Sequence, residues 1–198
     1  MPWIGRSTWR GGGATSTDYL GDNSRFFRGD GTCYRVGMEL NPYEKFLGDA
    51  DPVPVLFTTA SRLQTLVAPL SDERIEAAPA PGKWSIREIV AHLADCELVF
   101  AFRLRQTLAQ EHAVIQPFDQ EAWAQRYGAY DFASALGMFT AARNWNLKLL
   151  GTVTPEDQRR PTTHPERGTM TFWTIIETMA GHDVNHLEQI ERIAEGQL

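Results

Sequence analysis

The chain has 198 residues, 42% hydrophobic and 22% charged, enough for one globular domain with a sizeable core and an extension. Its 25 acidic against 19 basic side chains, a net charge of −6, exclude a binder of phosphate backbones, which needs a basic excess to displace counterions. No apolar run is long enough for a bilayer and two cysteines build no disulfide framework, so the expected setting is the cytoplasm, with neither membrane nor nucleic acid as partner.

Residues 1–37 show no period of 2 or 3.6. Trp9-Arg-Gly-Gly-Gly13 and Arg28-Gly-Asp-Gly-Thr32 supply too little apolar surface to offset the entropy of ordering them. Five arginines and three aspartates there would suit a regulatory arm, but composition favours a disordered leader or a start assigned too early, with the domain beginning at Met38.

Four helices are predicted from residue 38 onward. Asp51 and Pro52 are a cap and a first-turn proline, and Leu56, Leu63, Val67 and Leu70 follow at helical spacing until Pro69 ends the regular part. Ser85-Ile-Arg-Glu88 has the capping-box pattern, with Trp84 and Ile89 as hydrophobic staple; Ile86, Ile89, Leu93, Phe100 and Leu104 extend that helix to about Gln110. Asp131 caps a third over 131–150, with Phe132, Leu136, Phe139, Leu147 and Leu150 on one face. The fourth spans about 171–194 and carries Phe172, Ile175, Ile176, Met179, Leu187, Ile190 and Ile193. With no alternating strand between them, the expectation is an all-α four-helix bundle. About 20 residues, Glu111 to Tyr130, join helices two and three. A helix of ~26 residues is ~39 Å long, and ~20 extended residues reach ~65 Å, so a long crossover could leave those two helices parallel.

His182 and His186 lie four apart on one face, in line with Phe172, Ile175 and Met179, and His92 lies beside Ile89, Leu93 and Cys96. All three should point inward, where an unpaired imidazole costs a few kcal/mol. They are either core histidines bonded to backbone or to one another, or metal ligands. An i,i+4 pair with a third histidine from another helix is accounted for more economically by a transition metal.

The segments Gly82-Lys-Trp-Ser-Ile-Arg-Glu-Ile-Val-Ala-His-Leu-Ala-Asp-Cys-Glu97 and Gly181-His-Asp-Val-Asn-His-Leu-Glu-Gln-Ile190 resemble the DinB/YfiT-like superfamily. Pro117-Phe-Asp-Gln-Glu-Ala-Trp123 and Arg159-Arg-Pro161 are similar to its members too, and the likeness spans roughly residues 45–195. The resemblance implies a bundle ordered up-down-down-up, often a homodimer, with one divalent ion (zinc, nickel, iron or manganese) on His92, His182 and His186. It also implies metal-dependent hydrolases, or S-transferases and isomerases that use a low-molecular-weight thiol on a small-molecule substrate. A non-enzymatic, stress-associated bundle that binds a metal or ligand is the alternative.

Three neutral ligands would leave the ion its positive charge and an open position, where water is acidified or a thiol held as thiolate. Asp183 is a candidate to orient an imidazole, or else an exposed helix residue. His164, in the loop before the fourth helix, is a candidate acid or base, or else a solvated loop histidine. Cys96 reads more readily as a small core residue than as a ligand, and Glu97 as a packing or salt-bridge residue. His182-Asp-Val-Asn-His186 has Asp where a zinc peptidase motif needs Glu, so a peptidase is rejected.

Overall fold

The computed structural model describes residues 40–197, together with the backbone of two short strands before them. The chain divides into two units, Met1–Gly37 and Met38–Leu198. In the first, β1 (Arg25–Phe27) and β2 (Cys33–Arg35) pair antiparallel with Phe26 opposite Tyr34. The leader assigned to residues 1–37 otherwise lies outside the described residues.

The second unit carries short α1 (Glu44–Leu47), long α2 (Pro52–Val67), short α3 (Asp72–Glu76) and long α4 (Ile86–Ala109). After α4 come β3 (Ala113–Val114), α5 (Gln120–Ala124), a 3-10 turn at Tyr127–Ala129 and long α6 (Phe132–Leu150). It ends with α7 (Pro155–Gln158), β4 (Pro161–His164), β5 (Gly168–Thr171) and long α8 (Phe172–Ala194). The long helices α2, α4, α6 and α8 form the four-helix bundle.

Local chemistry sets where they start. Asp51 Oδ1 accepts the Val53 amide at 3.0 Å, and Asp131 Oδ1 accepts the Ser134 amide at 2.8 Å. At α4 the capping box closes: Ser85 Oγ accepts the Glu88 amide at 3.3 Å and Glu88 accepts the Ser85 amide at 2.8 Å.

The core forms two apolar clusters. One gathers Leu63 and Val67 late in α2, Ile86 to Ala94 early in α4, Ala135 and Phe139 early in α6, and Leu187 to Ile193 late in α8. The other takes Leu56, Phe100, Leu104, Leu147 and Phe172 to Ala180, from the opposite helix ends. Each fully buried Leu or Ile stabilises this packing by about 1.5–3 kcal/mol. In the interval between the clusters every long helix contributes buried polar side chains: Thr59, Glu97, Arg143 with Asn146, and His182 with Asp183.

The expectation that no strand separates the helices is overturned. β3 pairs parallel to β4, and β4 antiparallel to β5, in a three-stranded sheet. Strands of two to four residues are too short for an alternation to be read. The α4–α6 crossover is therefore partly ordered, since β3 anchors it to the hairpin before α8.

Candidate metal centre

His92 and Cys96 lie one turn apart on α4, facing His182 and His186 one turn apart on α8. His92 Nε2 and His182 Nε2 are 3.0 Å apart, and Cys96 Sγ lies 3.5 Å from the first and 3.7 Å from the second. One donor atom from each of these three residues falls within 4.8 Å of the others. His186 stands beside this compact set, its ring centroid 4.9 Å from His92 and 4.5 Å from His182. All four side chains are buried.

The donor set fits a transition ion. Bond lengths of about 2.0–2.1 Å to nitrogen and 2.3 Å to sulfur at a tetrahedral angle give N···N of about 3.3 Å and N···S of about 3.6 Å. The separations found are close to both. Cys96, read from the sequence as a core residue, has its sulfur among the donors.

The imidazoles are also in the protonation state a ligand needs. Burial, then the neighbouring His186, holds His92 down to about 3. His182 is pushed well below its ordinary value by burial, then by His186 and His92; burial lowers His186 as well. Gln189 Oε1 sits 3.0 Å from His186 Nδ1, and the Tyr127 hydroxyl 3.3 Å from His92 Nδ1. With Nδ1–H donated to these oxygens, each Nε2 keeps its lone pair. Burial raises the Cys96 thiol, which a cation among the donors would reverse.

Asp183 plays neither role assigned to it. It is 1% exposed, so it is no surface residue, and it does not hold an imidazole. Its Oδ2 accepts Arg143 Nη1 at 2.6 Å and Thr59 Oγ1 at 2.7 Å, and its Oδ1 accepts Arg143 Nη2 at 3.0 Å. One residue along a helix turns about 100°, carrying Asp183 from the His182 face toward α2 and α6. Arg143 also donates from Nε to Glu97 Oε1 at 3.0 Å, and Asn146 Nδ2 to Glu97 Oε2 at 2.8 Å. Glu97 is thus the salt-bridge residue expected. The network ties α2, α4, α6 and α8 together next to Cys96 and His182, and it engages the one acid a peptidase reading would have needed free.

His164 is not a solvated loop histidine either. It ends β4, is buried, and its Nδ1 accepts the Glu166 amide at 3.2 Å. With Tyr43, Arg103 and Arg167 it lines a cavity of about 580 Å³ whose wall includes Cys96 and His182. Tyr43 reaches it because Gly181 lets the chain before α1 touch α8. A Cβ at 181 would collide with the Tyr43 carbonyl and stand 2.8 Å from Tyr43 Cβ. The Tyr43 ring meets His182 edge-on with centroids 5.0 Å apart. Sequence reasoning missed Tyr43, Arg103, Arg143 and Arg167. Only Arg143 had left a signal, as a charge midway between the core residues Phe139 and Leu147.

A relative from Oceanobacillus iheyensis, named “Putative metal-dependent hydrolase”, is 28% identical over 134 residues, covering 67% of this chain and 78% of that protein. Bacillus subtilis YfiT, which carries the same description, is 23% identical over 145 residues, covering 72% and 82%. The solved structure of YfiT, described as having an unusual four-helix bundle topology, superposes with a TM-score of 0.63 at 22% identity, covering 80% of this chain and 91% of that one. With residues 56–190 matching the family model of the DinB superfamily, the chain belongs to the DinB superfamily.

Proposed function

We propose that the protein is a metal-dependent hydrolase that acts on a small molecule at the cluster of His92, Cys96, His182 and His186. The observation that carries this reading is the cavity of about 580 Å³ opening onto Cys96 and His182. A structural metal site is closed by its protein ligands, whereas a reactive one keeps a face for water or substrate. The names of the relatives point to the same class of chemistry.

His92 and His182 would be the fixed ligands, with His186 completing a three-histidine set or Cys96 supplying sulfur. A divalent ion (zinc, nickel, iron or manganese) bound there supplies an acidified water or a captured thiolate as nucleophile. Tyr43 and Phe100 form part of the wall that restricts solvent, and Tyr127 and Gln189 hold the imidazoles in orientation. Family resemblance supports a second nucleophile, a low-molecular-weight thiol, and a homodimer, and the low cysteine count supports a cytoplasmic setting. We read the helix order as up-down-down-up, from the helix ends that the two apolar clusters bring together.

The test is elemental analysis of protein purified without a histidine tag, beside His182→Ala, followed by activated esters and thiol-acceptor pairs as substrates. About one metal per chain in the parent, lost in the variant, with metal-dependent ester cleavage, is the expected result. Turnover only with an added thiol would move the reading to S-transfer. A bound metal with no turnover of either kind would leave a binding protein, and no metal after reconstitution would sink the reading.

A further inference from the structure

The cavity beside the metal cluster carries more positive charge than the cluster's chemistry uses. Arg103 follows Cys96 by seven residues on α4, nearly the same face two turns on, about 10 Å along the axis. Arg167 enters from the turn between β4 and β5, where Gly168 at φ +99° closes the hairpin. Among the described residues neither guanidinium has a carboxylate within salt-bridge distance. Arg103 Nη2 is fixed by the Gln116 carbonyl at 2.8 Å, while its buried Nε has no hydrogen-bond partner.

The acids that also line the cavity form no salt bridge with this pair. Asp119 is engaged as the cap of α5, its Oδ1 accepting the Ala122 amide at 3.0 Å, and Glu166 is exposed. His164 adds a donor. Its Nδ1 accepts the Glu166 amide, so the neutral ring carries its proton on Nε2. Burial, then Arg167 and Arg103, keeps that ring neutral, and Arg103 is itself held down by burial and, further, by Arg167. Two guanidiniums that repel one another, neither in a salt bridge among the described residues and one with a buried N–H unused, are the arrangement an oxyanion completes.

We propose that Arg103, Arg167 and His164 form an oxyanion subsite, binding a carboxylate or phosphate group of the substrate while the bond to be cleaved lies at the metal cluster. This rests on the metal-dependent reading for the reaction but not for the binding. It restricts the substrate class to small anionic molecules whose acid group and reacting bond are separated by several bonds. Neutral lipophilic esters of the same length are poor substrates on this account.

Calorimetric titration of the full chain with inorganic phosphate and, separately, with succinate tests the subsite. Saturable binding of either probe is expected, weakened about tenfold or more in Arg103→Gln and in Arg167→Gln, each having lost a charged hydrogen bond. Saturation by phosphate alone identifies a phosphate ester class, and by succinate alone a carboxylate class. Arg103→Lys, which retains the charge, should recover part of the affinity and guards against misfolding of the glutamine variant. His182→Ala should bind the same probe within about twofold, because its metal ligand is lost and the arginines are not. No saturation by either probe, unchanged affinity in both arginine variants, or loss of binding in His182→Ala would each overturn the subsite. Elemental analysis of the same samples separates the two readings: anion binding in a parent protein that holds no metal even after reconstitution would sink the metal reading alone.

Discussion

Replacing Arg143 by Met should destabilise the bundle more than any comparable change on its surface. The guanidinium donates to Glu97, to both Asp183 oxygens and, from Nη1 at 3.1 Å, to the Leu56 carbonyl. Side chains on both sides of these ion pairs are only 2% exposed. Methionine conserves much of the volume, so the cost comes mainly from two buried carboxylates left without a cation, about 3–5 kcal/mol. For a domain of this size each kcal/mol moves the midpoint about 2–4 °C, so Tm should fall by about 6–20 °C.

The pH profile identifies the cause. Burial already raises the Glu97 carboxyl, with Arg143 pulling it back, and removing Arg143 leaves only the Asn146 hydrogen bond to oppose burial. A raised carboxyl pKa means that the folded state holds a proton the unfolded chain has released, so stability falls as pH rises through that window. The deficit of Arg143→Met against the parent should therefore be largest near neutrality and shrink toward about pH 5. Adding Glu97→Gln and Asp183→Asn to Arg143→Met should restore a good part of it. Thermal unfolding by circular dichroism at several pH values measures all of this. A midpoint within about 2 °C of the parent, or a deficit that grows on acidification, refutes the argument.

Three further outcomes are expected. Cobalt-loaded parent protein should show a thiolate-to-metal charge-transfer band that disappears in Cys96→Ser while the cobalt is retained; a parent without the band removes Cys96 from the ligand set. In metal-free protein, stability should decline as pH falls from 6.5, where unfolded histidine takes up a proton, toward the His92 value of about 3, by up to about 1.4 kcal/mol per unit per histidine. Urea unfolding of His92→Gln should give a slope shallower by about one proton, and an unchanged slope would show that His92 is not held neutral. Gly181→Ala should cost about 1–3 kcal/mol by driving Tyr43 off α8, read as a fall in Tm; a neutral substitution would mean that the segment before α1 yields freely.

The four long helices were legible because their signals are local. Caps at Asp51, Ser85 and Asp131 and the 3.6-residue apolar periods depend on neighbours a few positions away, and the structure keeps each start within a residue or two. The inward face of His92, His182 and His186 followed from the same periodicity. What Asp183 bonds, whether Cys96 reaches the imidazoles, and where His164 sits were decided by packing between helices far apart in sequence. Asp183 and Arg143 are separated by 40 residues, Cys96 and His182 by 86. Helical spacing puts Arg103 on the Cys96 face of α4, but nothing in the sequence marks either cavity arginine as part of a site. Arg167 lies on a hairpin of four-residue strands that pairs with the α4–α6 crossover, and only the folded chain brings it beside Arg103. Helix register is a property of short segments, whereas the chemistry of a cavity depends on which side chains long-range contacts bring to its wall.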